Sequence, residues 1–325
     1  MVAAALASAR QVTPSGDAPE ERSRRLPATG VIGTGAMGLG VVRSLRRHGI
    51  ATYARDLVAE RMRAAEALGA VACASAAECA RHVEIAILLV VDDRQVDDVL
   101  FGPDGVAAAL RPGAIVVVSS TVDPHYVAGL APGLAGRALR LVDAPVSGGP
   151  ARAHDGTMTV MASGAPDALA VCAGVFERIA GRVFVVGERP GEAATFKIVN
   201  NLLAAANLAA GAEALALAVR AGLDAHRVLD VVEASSGASW IVADRMRREL
   251  AGDRGVRAAM RILAKDVGIA ASLAARLGAP ATFADAARAA FRGAVDAGYA
   301  DEDDAALLRY FVERGGPAPA RGHEA

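Results

Sequence analysis

The run Gly30-Val31-Ile32-Gly33-Thr34-Gly35-Ala36-Met37-Gly38-Leu39-Gly40 constrains this chain more than any other segment. It places G-x-G-x-x-G at Gly33, Gly35 and Gly38, after a short β-rich stretch and before a helical one. Another β-rich stretch begins at Ala51, which makes the whole a βαβ unit. In such a unit Gly33 permits the tight turn, Gly35 lets a backbone approach a pyrophosphate, and Gly38 lets helix and strand pack closely. The helix start then turns its N–H groups and positive dipole end toward phosphates. Thr34, Ala36 and Met37 complete the candidate loop. Asp56 lies eighteen residues after Gly38, near the end of the second strand, where an acidic side chain holds the adenosine ribose. Arg55 beside it suits a 2′-phosphate instead. The expected cofactor is therefore NAD, with NADP as the alternative.

The alternation continues. β-rich runs at Gly30–Ile32, Ala51–Tyr53, Ile85–Val91, Ile115–Ser119 and Leu139–Val142 are separated by helical stretches such as Gly38–His48, Ala59–Leu68 and Val96–Phe101. Strand following helix in this way implies a doubly wound, mainly parallel sheet, an α/β Rossmann domain. Met158–Ala162 and Val183–Val186 flank a helix beginning near Pro166 and extend the same sheet. Leu89, Val90 and Val91 end a core strand and are expected to line the cofactor. Thr121, just past Ile115–Ser119, falls at the carboxyl edge of the sheet, where ligands bind. After Pro190-Gly191 strand signals nearly vanish, and residues 192–221 carry one long helical pattern without proline. Helical stretches follow at Ala225–Ala234, Ile241–Leu250, Arg257–Leu277, Ala281–Ala297 and Ala305–Glu313. The expected plan is a nucleotide-binding domain at 29–191 and an all-helical domain at 192–314. Residues 1–28 and 315–325 read as disordered extensions.

Composition narrows the function. Lys plus Arg (35) nearly balances Asp plus Glu (36). That argues against nucleic acid or a membrane surface as partner, each of which calls for a basic excess. Every apolar run is interrupted by Gly, Asp or Arg, so no membrane span is expected. The three cysteines are odd in number and lack metal-binding spacing; they read as reduced thiols of a cytoplasmic protein. The six histidines include no H-x-x-x-H or H-E-x-x-H pair, so no metal site is expected.

Asp143-Ala144-Pro145-Val146-Ser147-Gly148-Gly149 follows the strand at Leu139–Val142. It reads either as a plain glycine-containing loop or as a nest of N–H groups around Ser147, Gly148 and Gly149 that suits a carboxylate. Taken with the Gly33–Gly38 run, Gly156-Thr157-Met158-Thr159, Lys197-Ile198-Val199-Asn200-Asn201 and Lys265-Asp266, it resembles the β-hydroxyacid dehydrogenase family. That family includes 3-hydroxyisobutyrate dehydrogenases, tartronate semialdehyde reductases and glyoxylate reductases. The motifs run in order from about Thr29 to Phe311. The L-threonate dehydrogenase branch fits best, through Val99-Leu100-Phe101-Gly102, Ser119-Ser120-Thr121, Met158 to Gly164, Ser239-Trp240, Ala297-Gly298-Tyr299 and Glu302-Asp303-Asp304. That branch is expected to carry His-Gln where this chain has Asn200-Asn201, the commoner family form.

The resemblance implies a hydride transfer between a small hydroxycarboxylate and NAD(P). L-threonate is the first expectation, with 3-hydroxyisobutyrate or 2-hydroxy-3-oxopropionate as alternatives. A dinucleotide-binding scaffold without catalysis is the remote alternative. Lys197 is implied as the acid/base, and a helix places Asn201, four residues on, on its face to orient the substrate. Ser147, Gly148 and Gly149 would hold the substrate carboxylate. Lys265 is implied on the cofactor side and Thr121 near the nicotinamide. Burial and the second cation, Lys265, are the causes expected to favour the neutral amine of Lys197. Trp240 is expected in the core or lining the cleft, and the acidic run Asp301–Asp304 as the cap of the last helix. Leu202, Leu203, Leu208, Leu215 and Leu217 surround the long helix, and a helix apolar all round must be buried on all sides. A homodimer or homotetramer through the helical domain follows from that pattern.

Overall fold

A computed structural model of the chain describes residues 26–314; the expectations for residues 1–25 and 315–325 lie outside it. The strands are β1 (Thr29–Ile32), β2 (Thr52–Arg55), β3 (Val71–Ala72), β4 (Ile85–Leu88), β5 (Ile115–Val118), β6 (Arg140–Asp143), β7 (Val146–Ser147), β8 (Met158–Gly164) and β9 (Ala180–Gly187). Between them run α1 (Ala36–Arg47), α2 (Ala59–Ala67), α3 (Ala76–Arg81), α4 (Asp93–Phe101), α5 (Val106–Ala109), α6 (Pro124–Ala135), α7 (Gly149–Asp155) and α8 (Pro166–Ile179). Helices α9 (Glu192–Arg220), α10 (Ala225–Glu233), α11 (Trp240–Leu250), α12 (Met260–Leu277), α13 (Thr282–Ala294) and α14 (Leu307–Arg314) complete the chain. It divides into two compact units between Lys197 and Ile198, inside α9.

In the first unit the sheet order is β3-β2-β1-β4-β5-β6-β8-β7, with β9 paired to β8. The strands from β3 to β6 are parallel. β8 runs antiparallel to β6 and β7, and β9 is parallel to β8. The sheet is thus mainly parallel, as the alternation implies. Every residue of β1, β4 and β5 is buried. Helices on both faces are the reason these strands read as unbroken apolar runs such as Ile115-Val116-Val117-Val118.

β4 differs from its expected span. It stops at Leu88, because the Val90 N–H donates to Ser120 Oγ at 3.0 Å and the Val91 N–H to Gln95 Oε1 at 3.0 Å. Side chains take those donors in place of a neighbouring strand, and Asp92 then caps α4. Leu89, Val90 and Val91 therefore form a loop at the carboxyl end of β4. Helix α6 has no counterpart in the sequence reading. Gly129, Pro132 and Gly133 mask it, although Asp123 accepts the His125 N–H and Pro124 occupies its first turn.

The second unit is helical, around Leu208, Leu215, Met246, Met260, Phe291 and Leu307. Helix α13 ends at Ala294 rather than Ala297, and a π turn over Val295–Tyr299 follows, with Gly298 at φ +98°. The acidic run does more than cap. Asp303 caps the turn at Asp304–Ala306 and also accepts the N–H of Arg257 at 2.7 Å and of Ala258 at 3.1 Å. It pairs with Arg248 at 2.9 Å, while the buried Asp304 pairs with Arg245 at 2.6 Å. Trp240 is exposed at the start of α11, so it is not a core residue of this unit.

Contrary to the sequence reading, α9 is long and apolar enough, by length and composition alone, to cross a membrane. Here Ala205, Leu208, Ala212 and Leu215 bury one side of it in the helical core. The side chains of Phe196, Val199, Leu203 and Leu217 on another side are exposed.

Candidate functional site

Strand order reverses between β1 and β4, and in open α/β sheets ligands bind outside the carboxyl ends of the strands at such a point. The loops that leave β1 and β4 touch there. Gly33 has φ +95°, and a Cβ on it would lie 2.6 Å from the Leu89 carbonyl oxygen. A side chain on Gly38 would collide with the Gly33 carbonyl, so helix α1 starts hard against the turn. Around Gly35 the space is open, the shape that a backbone approached by a pyrophosphate requires. Ala36 and Met37 form the first turn of α1, whose leading N–H groups have no acceptor within the helix.

Asp56 sits beside this loop at 9% exposure. Its Oδ2 accepts the Thr34 N–H at 2.7 Å and its Oδ1 the Val58 N–H at 2.9 Å, and Arg61 pairs with it at 3.5 Å. The carboxylate thus ties the glycine-rich turn to the chain leaving β2. It also borders a cavity of ≈ 390 Å³ lined by Arg55, Leu57, Met62, Arg63 and Cys73 among others. These residues fit a dinucleotide. The helix start would meet a phosphate, the carboxylate can take ribose hydroxyls, and Arg55 in the same cavity is the cation a 2′-phosphate would meet. Ser120, which the sequence reading quoted in Ser119-Ser120-Thr121 without giving it a role, joins β4 and β5 by accepting from Val90 and donating to the Leu88 carbonyl at 3.4 Å. Its neighbour Thr121 follows at the same edge. A serine after a buried strand was the available signal, and by itself it is too common to carry weight.

The second group of candidates lies beyond β6. Ser147 is held in β7 against Thr159 of β8. Gly148 and Gly149 then turn at φ +122° and φ +73° into α7. Asp143, at the start of this loop, is 1% exposed. It faces the head of α9, accepting the N–H of Gly191 at 2.9 Å and of Ala194 at 2.8 Å. Burial pushes its carboxyl up to about 6, against the lowering effect of those donors. Lys197 stands one turn further along α9 and is 8% exposed, deep for an ammonium side chain.

The third group belongs to the second unit. Asn201 is 8% exposed, and its Nδ2 donates to Asp266 Oδ2 at 2.7 Å. Asn200 Nδ2 donates to the Asn201 Oδ1 at 3.1 Å. Lys265 donates from Nζ to Asp266 Oδ1 at 2.7 Å, so one buried carboxylate serves both of these candidates. Sequence reasoning treated Asp266 only as the partner of Lys265; its hold on Asn201 is visible only in the fold.

Residues 28–187 match the family model described as the NAD binding domain of 6-phosphogluconate dehydrogenase. Residues 191–311 match that described as NAD-binding of NADP-dependent 3-hydroxyisobutyrate dehydrogenase. The chain is 42% identical over 283 residues to an L-threonate dehydrogenase of Escherichia coli K12, covering 87% of this chain and 94% of that one. It is 41% identical over 282 residues to an L-threonate dehydrogenase of Cupriavidus necator, covering 87% and 95%. A crystal structure named 3-hydroxyisobutyrate dehydrogenase, from Salmonella typhimurium, superposes with a TM-score of 0.82 at 41% identity, covering 87% of this chain and 99% of that one.

Proposed function

The chain belongs to the β-hydroxyacid dehydrogenase family, and from that membership we propose that it oxidises L-threonate with NAD, using Lys197 as acid/base. It is an NAD(P)-dependent dehydrogenase acting on the CH–OH group of a hydroxyacid. One observation carries the substrate assignment: the likeness to L-threonate dehydrogenases extends through both units rather than through the nucleotide domain alone.

A bound NAD(P) would supply the hydride acceptor for oxidation at the carbinol carbon. The residues of this chain do the rest. The turn at Gly33–Gly38 and the start of α1 hold the phosphates, with Asp56 on the ribose. Leu89, Val90, Val91 and Thr121 line the nicotinamide end, and Lys265 serves the cofactor side. Ser147, Gly148 and Gly149 hold the substrate carboxylate through the hydroxyl and backbone N–H groups. The neutral amine of Lys197 takes the substrate hydroxyl proton during oxidation, and its ammonium returns a proton to the alkoxide in reduction. Asn201 orients the hydroxyl-bearing carbon; its Nδ2 faces Asp266, which leaves the Oδ1 side toward Asn200. We also read the protein as a cytoplasmic enzyme that assembles through its helical unit.

A second reading takes 3-hydroxyisobutyrate or 2-hydroxy-3-oxopropionate as substrate. The name of the Salmonella structure and the Asn200-Asn201 pair favour it. Absorbance assays with these hydroxyacids, NAD and NADP at alkaline pH separate the two. The highest kcat/KM is expected for L-threonate with NAD. A higher value for 3-hydroxyisobutyrate overturns the substrate, and far better use of NADP overturns the cofactor preference in favour of Arg55.

A further inference from the structure

Helix α9 finds a local acceptor for its Glu192 N–H in the Arg189 carbonyl at 3.2 Å. Its other early N–H groups need acceptors, and Gly191 before it has no side chain to supply one. The acceptors for Gly191, Ala193 and Ala194 come instead from two strands distant in sequence. Asp143 Oδ2, at the end of β6, accepts the N–H of Gly191 at 2.9 Å and of Ala194 at 2.8 Å. Ser163 Oγ, in β8, accepts the N–H of Ala193 at 3.0 Å and donates to the same Asp143 oxygen at 3.4 Å. Both side chains are buried, at 1% and 0% exposure.

A local Ser or Asp would satisfy those donors at less desolvation than a buried carboxylate. What a local cap lacks is a fixed relation to the sheet. Asp143 opens the loop that carries Ser147, Gly148 and Gly149, and Ala194 lies one turn before Lys197 on α9. A single oxygen is therefore shared between the strand feeding the carboxylate-binding loop and the helix bearing the amine. Three acceptor contacts along one turn set both the height of the helix and its rotation about its axis.

We infer that Asp143 is a positioning residue, which acts through Lys197 by fixing the first turn of α9 against the end of β6, with Ser163 as its support. The inference rests on the reading of Lys197 as acid/base. The hydrogen bonds of Asp143 run to Gly191, Ala194 and Ser163, so its proposed effect on turnover is indirect.

The test compares Asp143→Ala, Asp143→Asn, Lys197→Ala and the double variant Asp143→Ala/Lys197→Ala. Asp143→Ala is expected to lower kcat at least about tenfold while leaving the KM for NAD within about twofold, because misplacement of a reacting group acts on turnover. Asp143→Asn keeps an oxygen for the same two N–H groups and is expected to recover kcat to within about fivefold of the parent. In the Lys197→Ala background the Asp143 change is expected to add little, since both act on one proton transfer. A folded Asp143→Ala with parental kcat overturns the inference, as does an Asp143→Asn that loses as much as the alanine variant. If Lys197→Ala keeps its turnover, the acid/base reading fails, and hydrogen exchange then judges the anchor alone. Exchange at Gly191 and Ala194 is expected to rise at least about tenfold in Asp143→Ala, and unchanged exchange overturns the anchor. Should Asp143→Ala not fold, Ser163→Ala carries the test with an expected loss in kcat of at least about threefold. No loss there overturns it.

Discussion

Asn201 Nδ2 donates to Asp266 Oδ2 at 2.7 Å, between residues sixty-five positions apart. A carboxylate only accepts, so this contact decides which end of the Asn201 amide faces inward. Asp266 is 3% exposed, and removing it strands a buried donor at a cost of about 1–3 kcal/mol. Asp266→Ala is expected to lower stability by that amount and kcat/KM by at least about tenfold. Melting curves and steady-state kinetics check both, and parental kinetics in the folded variant would rule out a role for the amide's orientation.

Lys197 supplies the second prediction. Lys197→Ala is expected to reduce turnover by at least about a hundredfold, with NAD affinity by calorimetry largely unchanged. The glycine-rich turn and Asp56 bind the dinucleotide independently of this side chain in the proposed arrangement. Turnover close to that of the parent would end the acid/base assignment.

The third concerns pH. Burial raises the Asp143 carboxyl from 3.8 to about 6. Protonation is thus easier in the folded chain. This group favours the fold fully below about pH 4 and loses that contribution as pH rises through about 6. At pH 8 the ionised carboxylate withholds up to about 3 kcal/mol that a permanently neutral side chain would not. Asp143→Asn is expected to melt above the parent at pH 8, with the gap narrowing toward pH 4. An equal difference at both pH values contradicts the burial effect.

The fourth concerns assembly. Phe196, Val199, Leu203 and Leu217 are exposed on α9, and each such side chain forgoes part of the about 1.5–3 kcal/mol that full burial supplies. A second copy of the chain covering this stripe recovers it symmetrically. Light scattering is expected to show a dimer or a tetramer, and Leu203→Glu with Leu217→Glu to shift it toward monomer. A monomeric parent at micromolar concentration contradicts the prediction.

Much of the nucleotide end is legible in sequence, because its determinants are local. Gly33, Gly35 and Gly38 act through backbone shape within one βαβ unit, and Asp56 follows at the distance one helix imposes. The end of β4 is less so. Leu89 to Val91 are apolar and β-branched enough to extend a strand, and only the Oγ of Ser120, thirty residues away from Val90, turns them into a loop. Helix α6 hides for a different reason: Pro132 and its glycines are breakers in isolation that packing on the sheet overrides.

Periodicity and the glycine spacing, each a property of neighbours in the chain, determined the parallel sheet, the turn at Gly33 and the long apolar helix carrying Lys197 and Asn201. Tertiary structure alone decided that Asp143 anchors that helix, that Asp266 orients Asn201, and that Leu208 is buried while Leu203 is exposed. The physical reason is one of range. Backbone shape and helical period act over a few residues and are written in local order. Hydrogen-bond partners and burial depend on which distant segments meet, and that is settled only when the two units close their cores.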